Sequence, residues 1–136
     1  MLSPTWTTVR LFLHVVGATV WVGGQIVLAG LVPGLRRLSP EAPRTAARRF
    51  NRIAWPAFVV LVVTGVWSLL VLDVGDTSLE YQVTLGLKIA VVAVSGIGAA
   101  FHAGARSKAA IAVGGAASGL AALVAVFLGV LLSSGG

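Results

Sequence analysis

The sequence predicts an all-α integral membrane protein, a four-helix transmembrane bundle. Of its 136 residues, 57% are hydrophobic and only 10% are charged, whereas a soluble domain has about 25% charged residues. Four apolar runs reach the roughly 20 residues that a helix needs to cross a hydrocarbon core about 30 Å thick. These runs lack the alternation of barrel strands, and a backbone inside lipid must satisfy its own hydrogen bonds. Helices are therefore the predicted solution.

The four predicted spans make up one transmembrane domain over residues 1–136. They are expected at approximately residues 11–32, 53–72, 83–103 and 109–132. The connection between the first two is the longest, and its residues 39–43 (SPEAP) contain two prolines that break a helix. Residues 45–51 (TAARRFN) are expected to form an interfacial helical turn that leads into the second span.

The net charge of +6 is concentrated in the connections between spans. The connection between spans one and two has a single acid and six arginines, Arg36, Arg37, Arg44, Arg48, Arg49 and Arg52. Arg106 and Lys108 lie between spans three and four. Because basic connections face the cytoplasm, both termini are predicted on the non-cytoplasmic side of the plasma membrane. This topology explains the charge without a nucleic-acid partner, and Arg48, Arg49 and Arg52 are expected to meet anionic lipid headgroups.

Small residues in the fourth span predict close helix packing. Gly115 and Gly119 form a GxxxG pattern, which lets two helix backbones approach each other in lipid. The contact can lie within the bundle, between copies of the chain, or against another membrane protein. The chain has no cysteine and only the initiator methionine, so no disulfide and no thiolate or thioether metal site is expected.

A few ionisable residues fall inside the predicted spans, where they are expensive and indicate function. His14 and Lys88 are predicted near the outer surface. His102 is predicted about 20 Å deeper at 1.5 Å per residue, so the two histidines are not expected to share one haem iron. His14 is the candidate metal ligand and His102 a weaker one. The alternatives are that Lys88 reaches the headgroups, that His14 is a packed histidine, and that His102 makes an interfacial, propionate or phosphate contact.

Three segments resemble the CopD family of copper-resistance membrane proteins. They are HVVGATVWVGG, which holds His14 and Trp21, then residues 48–67 (RRFNRIAWPAFVVLVVTGVW) and residues 85–94 (LGLKIAVVAV). The resemblance covers the first three spans and implies copper uptake or tolerance, with His14 as a ligand near the outer face. Cu(I) prefers the sulfur ligands that these spans lack. Copper handling therefore needs ligands from a partner or a second protomer. The alternative is that this small chain no longer handles copper.

The spacing of His14, Trp21 and Lys88 is also similar to the HemJ family of four-helix protoporphyrinogen oxidases. That resemblance implies haem b, with His14 as a single axial ligand and Trp21 and Trp67 beside the macrocycle. Lys88 would pair with a propionate or transfer a proton. The Pro-Arg of that family is replaced here by PGLR at residues 33–36. A third interpretation, a structural or assembly subunit, needs none of these residues, and the sequence assigns no catalytic residue.

Overall fold

The computed structural model of the chain describes residues 1–135 and is almost entirely helical. Four helices are long and apolar enough to cross a membrane: α1 (Trp6–Leu38), α2 (Ala42–Val71), α3 (Leu79–Gly104) and α4 (Lys108–Ser134). A short 3₁₀ turn, Val74–Asp76, precedes α3, and no strand occurs in residues 1–135. The predicted all-α class is confirmed, and the chain is a multi-pass membrane protein.

Helix α1 is longer than the predicted first span and contains one irregular stretch. Thr5 and Thr8 form a reciprocal capping box at its start. Thr19–Gly23 is π-helical, a distortion that often occurs at functional sites. The predicted span ended before Pro33, yet the helix continues to Leu38. A proline removes one backbone donor, but helices of membrane proteins tolerate it because the freed carbonyl finds other partners.

The Arg-rich connection is nearly all helix, and residues 45–51, predicted as a helical turn that leads into the second span, belong to the first turns of α2. Only residues 39–41 lie outside α1 and α2, and Pro43 occupies the first turn of α2, where its missing donor is not needed. Helix α2 has 30 residues and is therefore about 45 Å long, against a hydrocarbon core of about 30 Å. We infer that the arginine-bearing first turns of α2 extend beyond the hydrocarbon.

The chain divides into two compact units, of which the first is Met1–Leu72. In this unit α1 packs antiparallel on α2. A Cβ atom at Gly17 would lie 2.9 Å from the carbonyl oxygen of Ala57, so only glycine permits this approach. The ring of Phe50 occupies the place where a Cβ atom at Gly24 would stand. The buried residues along this contact are Trp21, Ala54, Leu61 and Thr64.

The second unit, Asp73–Gly136, is the antiparallel pair of α3 and α4. A Cβ atom at Gly98 would lie 2.9 Å from the backbone nitrogen of Ser118. The buried Ser95 donates its hydroxyl proton to the Ser118 carbonyl at 2.9 Å, which links the two helices. Close backbones and interhelical hydrogen bonds are what hold helices together in lipid.

The small-residue stripe of α4 that packs within this unit is offset from the predicted GxxxG pattern. Its buried members are Gly114, Ser118, Ala121, Ala122 and Ala125. Gly115, one position later, is only partly buried and borders the ring of His102. The prediction that Gly115 and Gly119 contact a second copy or a membrane partner stays a prediction.

Candidate functional site

His14 lies on the face of α1 that packs on α2, one turn before the close approach at Gly17. Its Nδ1 atom is 2.9 Å from the Oγ1 atom of Thr64. A Cβ atom at Gly65 would lie 3.7 Å from the His14 Cε1 atom, so the ring also rests beside this glycine. Thr64 is only 2% exposed, and His14 is partly buried. The contact thus joins the histidine motif of α1 to the Thr-Gly pair of α2.

The surroundings of Thr64 determine which nitrogen of His14 carries the proton. The Thr64 Oγ1 atom lies 2.7 Å from the Val60 carbonyl oxygen and 3.1 Å from that of Leu61. A carbonyl only accepts, and a hydroxyl has one proton to donate, so that proton points to Val60. Thr64 must then accept from His14, and we assign the proton to Nδ1. In the neutral imidazole the lone pair is on Nε2.

Histidines that ligate metals are oriented in a comparable way. Such a histidine usually donates its other ring N–H to a neighbouring group, which fixes the tautomer and the ring orientation. Thr64 supplies that group here, and its own proton is engaged by the helix it belongs to. The hydrogen bond to Thr64 therefore fixes the orientation of the His14 ring.

Arg10 was not among the candidate residues predicted from the sequence. It lies in the second turn of α1, one turn before His14 and on the same helix face. Its Nε atom is buried and has no hydrogen-bond partner among the described residues. The predicted first span began at residue 11, which left this charge outside the membrane. The spacing of four residues between Arg10 and His14 is the signal that identifies it.

The two candidate tryptophans lie at different levels of the first unit. Trp21 is 3% exposed and packs against Trp55 and Phe58, with ring centroids 5.3 and 4.4 Å away. It joins the π-helical stretch of α1 to α2. Trp67 follows Thr64 by three residues and is about 14 Å from the level of Phe58 along α2. Trp67 therefore lies near the level of His14, whereas Trp21 lies toward the α1–α2 turn.

In the second unit, Lys88 and His102 contact opposite ends of α4. The Lys88 ammonium lies over Gly129, where a Cβ atom would be 3.1 Å from Nζ. The Nδ1 atom of His102 donates to the Ile111 carbonyl at 2.5 Å. Gly115 provides the room for that ring, since a Cβ atom there would be 3.0 Å from Nδ1. His102 thus links α3 to the first turns of α4.

The six arginines between the first two predicted spans are all exposed. Arg44, Arg48 and Arg52 follow each other at intervals of four residues, so they share one face of α2. Like charges at this spacing destabilise a helix by about 0.2–0.5 kcal/mol per pair. An anionic surface would relieve this repulsion, and contact of Arg48, Arg49 and Arg52 with lipid headgroups stays a prediction.

The four membrane-length helices define a multi-pass membrane protein, in which His14 and His102 are each held by a hydrogen bond through Nδ1. Comparisons of the chain with models of protein families, with curated proteins and with solved structures find no match. Within residues 1–135, no group of three or more His, Cys, Asp or Glu side chains is placed to hold a metal ion. At this site the described residues place one imidazole, that of His14.

Proposed function

We propose that this chain is a membrane protein that binds haem b, with His14 as the axial ligand of the iron. The observation that supports it is the hydrogen bond from the Nδ1 atom of His14 to Thr64, which leaves the lone pair on Nε2. Haem iron receives four nitrogens from its macrocycle and needs only one or two ligands from the protein, commonly histidine. A bare copper ion would need several protein ligands.

The residues around His14 suit such a cofactor in two further respects. Thr64 accepts a hydrogen bond from Nδ1 and holds the imidazole ring, so the ring is already oriented before a ligand binds. Arg10 places a guanidinium with an unpartnered buried nitrogen one turn away, which suits a ligand that carries carboxylates. Trp67 lies near the same level of the first unit. Bound haem b supplies one-electron redox chemistry.

We further propose that the protein lies in the plasma membrane with both termini on the non-cytoplasmic side. The arginines at the α1–α2 turn, with Arg106 and Lys108 at the α3–α4 connection, support this orientation through the positive-inside rule. The connection between α2 and α3 contains Asp73 and Asp76 and no basic residue, and Glu80 follows in the first turn of α3. In this orientation His14 lies toward the outer face.

The proposal is tested by an absorption spectrum and a metal analysis. The protein is purified in mild detergent from cells grown with a haem precursor and with copper. We expect a Soret band and bound iron in the natural protein and neither in His14→Ala. His102→Gln is the matched control, because it removes the other histidine and keeps an N–H donor for the Ile111 carbonyl. A natural protein without a Soret band contradicts the proposal.

Copper handling, which the CopD resemblance implies, is the second candidate. The observation that favours it is again the oriented Nε2 atom of His14, because neutral imidazole also binds copper. The remaining ligands must then come from a second copy or a partner, since the described residues offer no cluster of metal-binding side chains. Bound copper that is lost in His14→Ala, without a Soret band, would favour this candidate. A colourless, metal-free protein would favour a structural or assembly subunit.

A further inference from the structure

The guanidinium of Arg10 has an unpartnered nitrogen and belongs to a helix long enough to cross a membrane. Its Nε atom is buried and makes no hydrogen bond within residues 1–135. A guanidinium has five N–H donors, and a buried donor without a partner destabilises a protein. A hydrogen-bond acceptor outside residues 1–135 would explain why a buried nitrogen is retained here.

Arg10 lies on the same face of α1 as His14, one turn nearer the N-terminus. It precedes His14 by four residues, a rise of about 6 Å, and Gly17 by seven, so the three lie along one face of the helix. Gly17 is where this face meets α2. In the antiparallel pair set by His14 and Thr64, Arg10 is level with Ser68, whose hydroxyl donates to the Thr64 carbonyl.

Arg10 differs both from arginines that reach the lipid headgroups and from arginines that set membrane topology. An arginine that extends to the headgroups keeps its whole guanidinium in a polar environment, whereas the Nε atom of Arg10 is buried. The six arginines that predict the topology of this unit lie at the opposite end of α1 and in the first turns of α2. Arg10 also lies four residues into a helix that begins at Trp6.

We propose that Arg10 binds a carboxylate of the ligand whose metal His14 holds, which for haem b is a propionate. This inference rests on the proposed function. Arginine presents two parallel N–H donors that match the two oxygens of a carboxylate, and the Nε–H is one of the donors that can take part. The pair would satisfy the buried nitrogen and orient the ligand, with its carboxylates toward the N-terminal end of α1.

The test compares two ligands that differ only in their carboxylates. The full chain is purified without haem and titrated with haem b and with the dimethyl ester of haem b, in which both propionates are neutral. We expect the natural protein to bind haem b at least about tenfold more tightly than the ester, because a charge-assisted pair is lost. Arg10→Gln should weaken haem b binding by a similar factor and leave ester binding unchanged. Arg10→Lys should fall between them, because lysine keeps the charge without the fork.

The controls separate the possible failures. Unchanged ester binding by Arg10→Gln would show that the variant folds, and Arg36→Gln removes an exposed arginine at the far end of α1 without touching the site. If the natural protein and Arg10→Gln bind haem b equally, the assignment of Arg10 is wrong, whereas the role of His14 is decided separately by the spectrum of His14→Ala. If the natural protein binds neither ligand, the proposed function and this inference both fail.

Discussion

At the scale of single residues, the site depends on the positions of two protons, one on the hydroxyl of Thr64 and one on the Nδ1 atom of His14. Thr64 donates to its own helix and accepts from His14, so the imidazole is fixed by a neutral hydroxyl rather than by a carboxylate. The residue types and their spacing in the sequence were enough to identify His14, because a histidine inside an apolar run is costly. They did not identify Thr64 as its partner, because the two are separated by 50 positions in the sequence.

Replacing Thr64 tests the assigned tautomer. Thr64→Val has the same shape but cannot accept from the Nδ1 atom of His14, so the ring loses its support and the N–H its partner. We expect haem affinity to fall about 10- to 100-fold, the usual effect of removing a group that supports a metal ligand. Thr64→Ser keeps the hydroxyl and should stay near the natural value in the same titration. Equal affinity of the Val and Ser variants would contradict the assignment.

At the scale of helices, the sequence predicted the number of elements and not their ends. Hydrophobicity marks the part of a helix that lies in lipid, whereas the helix itself continues as long as its backbone bonds are satisfied. Pro33 and Pro43 illustrate this difference. The first lies inside α1, and the second lies in the first turn of α2. The same reasoning explains why Arg10 fell outside the predicted span but inside the helix.

The close approach of α3 and α4 gives a prediction about stability. Gly98→Ala places a Cβ atom 2.9 Å from the backbone nitrogen of Ser118. Because backbone cannot move aside as a side chain can, we expect a loss of about 1–3 kcal/mol in the free energy of unfolding. The comparison is Gly86→Ala in the same helix, where the added atom meets nothing within 4 Å. Unfolding in detergent, followed by helical circular dichroism, measures both, and equal stabilities would contradict the packing.

At the scale of the whole molecule, composition and charge were the most informative features of the sequence. They predicted a helical membrane protein, and the four membrane-length helices confirm it. The sequence indicated Trp21 as a candidate cofactor-binding residue and did not predict that its ring packs against Trp55 and Phe58. Such contacts depend on the pairing of α1 with α2, and a single sequence does not specify which aromatic side chains meet.

The orientation of the molecule is tested by single cysteines, since the chain has none of its own. Ser3→Cys lies before α1, and Gly104→Cys lies at the exposed end of α3, where a new side chain meets nothing within 4 Å. In intact cells, a membrane-impermeant thiol reagent should label residue 3 at once and residue 104 only after the membrane is opened. The reverse order of labelling would overturn the proposed topology.

The most direct measurement of the central claim, that His14 ligates haem iron, is an imidazole rescue. His14→Gly removes the side chain and leaves space for a free imidazole in its place. We predict that the variant, purified and mixed with haem b, lacks the absorption spectrum of the natural protein and that added imidazole restores it. A His14→Gly protein that binds haem b with the natural spectrum in the absence of imidazole would show that the iron is held elsewhere.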